Sequence, residues 1–173
     1  GFTKVVAVVA GGAERYLSVA NALCYMEQGD LSVPNTDGYV FIHDGARPLV
    51  TEQIIADTFE AAKEFGACCA AVPVKDTIKI ADEAGFVETT PDRSRLYAVQ
   101  TPQVFSVPLV MEAYRKLAVE DAALRESGVQ ITDDAMVVET LLGEKVKLVE
   151  GSYKNIKITT PEDISIAEGI LEV

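Results

Sequence analysis

Positive charge is scarce in this sequence. Its 173 residues include 15 Lys and Arg against 27 Asp and Glu, which gives a formal net charge of −12 at pH 7. Nucleic acids and anionic membrane surfaces present dense negative charge and are repelled by such a chain unless its few cations cluster tightly. The composition therefore argues against both as partners, while a single anionic nucleotide is still compatible with it.

Cysteine is also rare, and long apolar runs are absent. The three cysteines, Cys24, Cys68 and Cys69, are odd in number and have no companion ligands at zinc spacing. They predict buried, reduced thiols in a reducing compartment. The longest apolar runs, residues 5–10 and 67–74, are too short to span a bilayer, and no signal-peptide pattern precedes them. We therefore expect a cytoplasmic protein.

The hydrophobic pattern predicts one α/β domain over residues 1–173, because 49% hydrophobic residues suffice for one sizeable core. Strands alternate with helices, which favours a Rossmann-like, mostly parallel sheet layered by helices. Two short strand-like pieces around a turn predict a projecting β-hairpin. We predict strands at 3–9, 38–43, 67–73, 96–105 and 146–150, hairpin strands at 77–80 and 86–89, helices at 18–26, 51–66, 108–118, 133–142 and 161–171, and a polar linker at 28–37.

Helix signals are clearest after Thr51, a capping residue followed by an apolar face. We expect this helix to end near Gly66 and to turn five residues toward the core: Ile54, Ile55, Thr58, Phe59 and Ala62.

Polar segments at strand ends are the candidate site, because ligands of open parallel sheets bind beyond the carboxyl ends of the strands. Three segments qualify: residues 11–18, residues 44–47, and Thr77 with Lys79. The first would leave backbone N–H groups and the Ser18 hydroxyl free for a phosphate or a base edge. A glycine turn between strand and helix, however, also needs no ligand.

Asp44 and Arg47 lie three residues apart around two small residues. Asp44 suits a metal-associated or sugar-hydroxyl contact, and Arg47 suits a phosphate clamp. An internal Asp–Arg pair that braces a turn explains the same residues equally well. His43 has no nucleophile and orienting acid nearby in sequence, so we interpret it as a core or supporting residue.

The cations concentrate in two places, residues 92–95 and 154–157, which slightly favours a phosphate site in so acidic a chain. Asp133 and Asp134 stand at a predicted helix start, where a cap and a favourable dipole interaction explain them.

Six ordered segments together carry a family resemblance: residues 11–19, 43–48, 73–79, 92–105, 131–135 and 155–163. Their wording, which includes His-Asp-Gly-Ala-Arg-Pro and Gln-Thr-Pro-Gln, closely resembles the 2-C-methyl-D-erythritol 4-phosphate cytidylyltransferases over nearly the whole chain. The resemblance implies a nucleotide-diphospho-sugar transferase fold. It also implies a homodimeric, Mg²⁺-dependent enzyme of nonmevalonate isoprenoid biosynthesis that transfers CMP from CTP and releases pyrophosphate.

The resemblance also implies roles for individual residues. Residues 74–97 would form a dimerisation arm, so that Thr77 and Arg93 would act in the neighbouring subunit's site. No residue is assigned to a metal. The implied nucleotide-binding residues are Gly12, Ser18 and Ala46; the implied substrate-binding residues are Asp44, Arg47, Thr77, Arg93, Thr101 and Lys157; and those implied to be catalytic are Thr77, Arg93 and Lys157.

Two departures from the family pattern are visible. The family's opening strand and glycine-rich CTP loop have no counterpart ahead of residue 11, so we expect an N-terminally incomplete domain, and Ala13 stands where the family commonly has an aspartate. Two other functions are therefore considered: ribitol 5-phosphate cytidylyltransferase, and a noncatalytic fragment that only dimerises or binds ligand. The sequence motifs at 43–48 and 131–135 favour methylerythritol phosphate over ribitol phosphate as the substrate.

Overall fold

A computed structural model describes residues 3–28 and 38–172. Strands and helices alternate along much of this part of the chain, and a short 3₁₀ helix precedes the fifth strand. The strands are β1 (Tyr39–Ile42), β2 (Ala67–Pro73), β3 (Ile80–Ala81), β4 (Val87–Thr89), β5 (Tyr97–Ser106) and β6 (Lys147–Glu150); the helices are α1 (Arg15–Gln28), α2 (Glu52–Phe65), α3 (Val107–Glu126), α4 (Asp134–Leu142) and α5 (Pro161–Leu171).

The central sheet has the strand order β1-β5-β2-β6. Strand β5 runs antiparallel to both β1 and β2, and β6 runs parallel to β2, so β1, β2 and β6 all point the same way. The predicted α/β class is confirmed, with β5 as the one returning strand. The carboxyl ends of three strands consequently lie at one edge of the sheet, where ligands of such sheets bind.

Helix α2 shows how local sequence sets its limits. The Thr51 hydroxyl accepts a hydrogen bond from the Ile54 N–H, and Gly66 ends the helix in the left-handed conformation (φ 79°), which a residue without Cβ adopts readily. Ile54, Thr58 and Ala62 are buried as predicted. The prediction was wrong for Ile55 and Phe59, which are 42% and 38% exposed, because the buried stripe is narrower than the apolar one.

The main core lies between the sheet, α3 and α4. It forms because strand β5 turns the fully buried Phe105 toward the helices, into the same cluster as Val110 and Val137. The neighbouring Val104 faces the other side of the sheet, where it packs with Ala62 and Cys68. This packing fixes the position of β5, which supplies several side chains of the site described below.

The predicted strand at residues 3–9 is wrong: the structure has no strand in this segment. A strand needs a hydrogen-bonded neighbour as well as β-branched residues, and Val6 and Val8 are 76% and 94% exposed rather than covered on both faces. The Asn21 side chain donates to the Ala10 carbonyl at 3.1 Å and holds the end of the segment against α1. The predicted polar linker falls mainly on residues 29–37, outside the described part of the chain.

The predicted hairpin is present as β3 and β4, paired antiparallel in a separate two-stranded sheet. The strands are shorter than expected, and the tight connection is stabilised by the Asp82 carboxylate, which accepts from the N–H groups of Ala84 and Phe86. Apolar residues on the hairpin are exposed, with Phe86 72% and Val87 60% accessible.

No helix among residues 3–28 and 38–172 combines the length and apolar character that crossing a bilayer requires.

Candidate functional site

A polar cavity of about 270 Å³ lies at the edge of the sheet where β1 and β6 end. Three cations converge there on one carboxylate. Asp44 is 3.1 Å from the Lys157 Nζ, and its two oxygens are each 3.5 Å from the Nε of Arg15 or Arg47. The structure thus brings Asp44, Arg47 and Lys157 together, with Arg15 beside them, while their substrate-binding and catalytic roles stay predictions.

The charge balance favours an ionised Asp44. Burial alone raises the pKa of this carboxyl, but the hydrogen bond and charge of Lys157, together with the charges of Arg15 and Arg47, outweigh burial and hold its pKa below the ordinary value. Three cations thus gather at Asp44, although Asp133 lines the same cavity and Asp134 pairs with Arg15. Cationic side chains concentrated in one cavity can contact an anionic ligand directly.

Two donors in this cluster make no hydrogen bond to the described residues. They are the buried Nη1 atom of Arg15 and the buried Nε atom of Arg47, the latter 3.5 Å from an Asp44 oxygen in an ion pair. Leaving a buried charged donor unsatisfied is energetically unfavourable, so such groups are the ones expected to bind a ligand oxygen.

The loop after β6 is held against the turn after β1 by two hydrogen bonds to backbone carbonyls. The Ile158 N–H donates to the Ala46 carbonyl at 2.8 Å, and the Arg47 Nη1 donates to the Asn155 carbonyl at 2.7 Å. Because Ile158 follows Lys157 directly, these contacts place the Lys157 ammonium beside Asp44. Ala46 was predicted to bind nucleotide. In the structure its carbonyl helps to position the loop that carries Lys157.

Strand β5 anchors the same loop through buried amides. Asn155 is fully buried and donates to the Gln100 side chain and to the Thr101 carbonyl. Gln100 in turn bonds the backbone of Ser152. A side chain at Gly151 would lie 2.5 Å from the Gln100 Oε1, so this close approach requires glycine.

Arg15 is fixed from its other side by a buried carboxylate. Its Nη2 lies 2.7 Å from an oxygen of Asp134, which is fully buried, and the other Asp134 oxygen accepts from the Tyr114 hydroxyl. The interpretation of Asp134 as a simple helix-start residue was incomplete for this reason. Asp133 does act as the cap of α4, accepting from the Met136 N–H at 2.9 Å.

Residues 11–18 were predicted to leave backbone N–H groups and the Ser18 hydroxyl free for a ligand, but two of these groups bond each other. The Gly12 N–H donates to the Ser18 Oγ at 2.9 Å, so that hydroxyl and N–H are engaged with each other. A Cβ at Gly12 would lie 2.3 Å from that of Leu17, which accounts for glycine here without any ligand. The assignment of Gly12 and Ser18 to the nucleotide stays a prediction.

Thr77 and Arg93 do not line the cavity around Asp44 in their own chain. Arg93 donates to the Lys75 carbonyl, and Lys79 bonds Thr90 across the hairpin at 2.8 Å. The segment of Thr77 and Lys79 therefore contributes no lining residue to this cavity in its own chain, and the assignment of Thr77 and Arg93 to the neighbouring subunit's site stays a prediction.

Carboxylates in the cavity do not fit a resident Mg²⁺, a cation that in proteins is coordinated by oxygen. Three cations surround Asp44, and both oxygens of Asp133 accept hydrogen bonds, from the Met136 N–H and the Gln103 side chain. Within the described ranges, no three His, Cys, Asp or Glu side chains are grouped to hold a metal.

Known proteins with this sequence pattern decide the family. Residues 2–173 match the sequence model described as IspD, 2-C-methyl-D-erythritol 4-phosphate cytidylyltransferase. The chain belongs to this cytidylyltransferase family. The cytidylyltransferase of Alkaliphilus oremlandii is 51% identical over 172 residues, which cover 99% of this chain and 66% of that relative. The Bacillus mycoides cytidylyltransferase is 50% identical over 170 residues, 98% of this chain and 68% of the relative.

Solved cytidylyltransferase structures show the same fold. The 4-diphosphocytidyl-2C-methyl-D-erythritol synthase of Anaerococcus prevotii superposes with a TM-score of 0.78 at 36% identity, covering 94% of this chain and 68% of the other. The Thermus thermophilus enzyme gives a TM-score of 0.71 at 37% identity, covering 94% and 71%. The chain thus spans about two thirds of the length of the cytidylyltransferases that it matches.

Sequence reasoning did not assign a role to several residues that build this candidate site. Gln103, Asn155 and Tyr114 are buried polar residues whose partners come from distant segments. No local pattern identifies such partners. Their position could have revealed them, because a polar residue inside an otherwise apolar strand or helix needs a hydrogen-bond partner when it is buried.

Proposed function

We propose that this protein transfers the cytidylyl group of CTP to 2-C-methyl-D-erythritol 4-phosphate in isoprenoid biosynthesis. An oxygen of the substrate phosphate bonds to the α-phosphorus of CTP, the bond from that phosphorus to the bridging oxygen of the β-phosphate breaks, and pyrophosphate leaves. The observation that carries the proposal is the convergence of Arg15, Arg47 and Lys157 on Asp44 in a chain of the cytidylyltransferase family.

The cluster supplies what phosphoryl transfer needs from a protein, which is mostly positioning and neutralisation of charge. Arg47 and Lys157 would hold phosphate oxygens, and the buried Nε of Arg47, which makes no hydrogen bond to the described residues, is available for that purpose. Asp44 would keep both cations in place and can accept a hydrogen bond from a substrate hydroxyl. Thr101 lies beside Asp44, and its hydroxyl oxygen accepts the backbone N–H of Asp44 at 3.0 Å.

Nucleotidyltransferases are generally metal-dependent, and we infer Mg²⁺ as the metal. Since the protein carboxylates do not fit a resident ion, Mg²⁺ would enter with CTP, held mainly by its phosphates and waters. The protein's own cations act on the phosphate oxygens that remain.

We also propose a homodimer in which the hairpin reaches the neighbouring site. Exposed Phe86 and Val87 support it, because apolar residues on a projecting hairpin are typical of a contact surface. Thr77 and Arg93 would then complete the partner's substrate pocket, which accounts for their distance from Asp44 in their own chain. The free, buried thiols of Cys68 and Cys69 support a reducing, cytoplasmic location.

Product analysis tests the proposed reaction. Purified protein is incubated with CTP, Mg²⁺ and methylerythritol phosphate, and the cytidine diphosphate product is identified by mass spectrometry. Ribitol 5-phosphate in place of methylerythritol phosphate is the control. Product from methylerythritol phosphate alone supports the proposal; preference for ribitol phosphate would support the related enzyme instead, and CTP binding without any product would support a noncatalytic role.

A further inference from the structure

His43 is the only histidine of the chain and directly precedes Asp44. Its ring touches two partners at once. Nδ1 lies 2.9 Å from the Thr101 Oγ1, and Nε2 lies 3.0 Å from the Arg47 carbonyl oxygen. The same Thr101 oxygen accepts the backbone N–H of Asp44 at 3.0 Å. One imidazole thus connects both ends of the turn that carries Asp44 and Arg47.

Chemistry fixes the direction of these bonds. A carbonyl oxygen can only accept, so Nε2 of His43 carries hydrogen, and a backbone N–H can only donate, so Thr101 accepts from Asp44. The single hydroxyl hydrogen of Thr101 is then free to point at Nδ1, which is an acceptor in the neutral ring with hydrogen on Nε2. The order runs from the Asp44 N–H through the Thr101 hydroxyl to Nδ1, and from the Nε2–H to Arg47.

The turn is closed in a second way by the Arg47 N–H, which donates to the Asp44 carbonyl at 2.9 Å. This backbone bond sets the local shape of the turn, but it does not attach the turn to the sheet. Thr101 does so, since it lies on β5 and is only 4% exposed. His43 therefore joins a rigid strand to the far end of a surface turn whose two charged side chains form the site.

We propose that His43 is a positioning residue of the cytidylyltransferase site, acting through Thr101 and the Arg47 carbonyl to hold Asp44 and Arg47 in register with each other. Only the expected effect on kcat and KM rests on the proposed function; the positioning of the turn by His43 does not. Substrate is bound by Asp44, Arg47 and Lys157, which stay present without His43. Loss of the ring is therefore expected to lower kcat more than it raises KM, because small misplacements of reacting groups are expensive in rate.

The structural part is tested by nitrogen-15 NMR of the full chain in mildly alkaline buffer, where the single histidine gives unambiguous ring signals. We expect hydrogen on Nε2 and an Nδ1 signal shifted by an accepted hydrogen bond. In Thr101→Val the Nδ1 signal should move to that of a free ring nitrogen, and in Thr101→Ser it should not. Hydrogen on Nδ1, or an Nδ1 chemical shift that is the same in Thr101→Val as in the unaltered protein, would overturn the proposal.

The functional part uses two variants that each keep half of the bridge. In His43→Asn a polar group remains near Thr101 and contact with Arg47 is lost; in His43→Gln the longer side chain can still donate to the Arg47 carbonyl and the Thr101 contact is lost. Each should lower kcat about fivefold, the size expected for one hydrogen bond, with a smaller change in KM. The thermal midpoint should fall by no more than about 4 °C, the effect of losing one such bond on stability. Turnover equal to that of the unaltered protein in both variants would overturn the role.

The two parts separate this proposal from the proposed function. If the unaltered protein shows no turnover, the proposed reaction fails, and the ring signals together with the backbone amide signals of Asp44 and Arg47 in His43→Gln still decide whether His43 holds the turn. Amide signals that stay in place in that variant would contradict it.

Discussion

Arg15 and Asp134 form an ion pair, with 2.7 Å between Nη2 and Oδ2, that links the first turn of α1 to the first turn of α4. Asp134 is fully buried, while the Arg15 side chain is 34% exposed. The pKa of Arg15 is lowered by burial but raised, on balance, by the hydrogen bond and charge of Asp134, so the guanidinium stays ionised. Since Arg15 also contacts Asp44, this pair connects the fold to the site.

Asp134→Asn should destabilise the protein strongly. Removing one partner of a buried pair leaves an uncompensated charge and costs about 3 kcal/mol, at the lower end of the usual range because Arg15 is partly solvated. The free energy of unfolding in urea measures the loss. Glu60→Gln is the matched control, since it breaks the exposed pair between Glu60 and Lys63 and should cost less than about 0.5 kcal/mol. Equal stability of the two variants would show that the Arg15–Asp134 pair contributes nothing.

The three thiols should differ sharply in reactivity. Burial raises the pKa of Cys68 to about 11 and that of Cys69 to about 12, whereas Cys24 is exposed. The reactive thiolate is therefore scarce and shielded at Cys68 and Cys69. Iodoacetamide near neutral pH should label Cys24 alone in the native protein and all three residues in urea, as read by peptide mass spectrometry. Rapid native labelling of Cys69 would contradict the burial of β2.

Arg93→Ala and Lys157→Ala should complement each other if the hairpin serves the neighbouring site. Each variant alone is expected to lose most activity, because every site in its dimer lacks one cation. Mixed dimers contain one site with both residues intact, so mixing under conditions of subunit exchange should restore part of the turnover. The absence of any recovery, with exchange verified by mass, would place Arg93 outside the partner's site.

Much of the fold was predictable because its signals are local. The cap at Thr51, the stop at Gly66 and the apolar run of β2 each specify an element without reference to the rest of the chain. The same reasoning gave a wrong strand at residues 3–9. β-Branched residues form a strand only beside another strand, and the exposed Val8 has no neighbouring strand in the described structure.

The site was predictable where residues follow a strand end, and hidden where tertiary partners decide. Asp44 and Arg47 come directly after β1, so the strand-end rule found them, and the family resemblance added Lys157. The role of Asp134 depends on Tyr114 from another helix, a pairing that no spacing in the sequence reveals. The cysteines divide similarly: Cys68 and Cys69 are buried as predicted, but Cys24 is exposed on α1.

The central claim, that the Asp44-centred cluster carries cytidylyl transfer, is tested most directly by CTP-dependent pyrophosphate release with methylerythritol phosphate in Lys157→Gln. Lys154→Gln is the matched control, because it removes an equal charge from the same loop at an exposed residue. The account predicts turnover in the unaltered protein and in Lys154→Gln, and a loss of about 100-fold or more in Lys157→Gln, the usual effect of deleting one electrostatic contact to reacting phosphates. Turnover in Lys157→Gln equal to that of the control would contradict it.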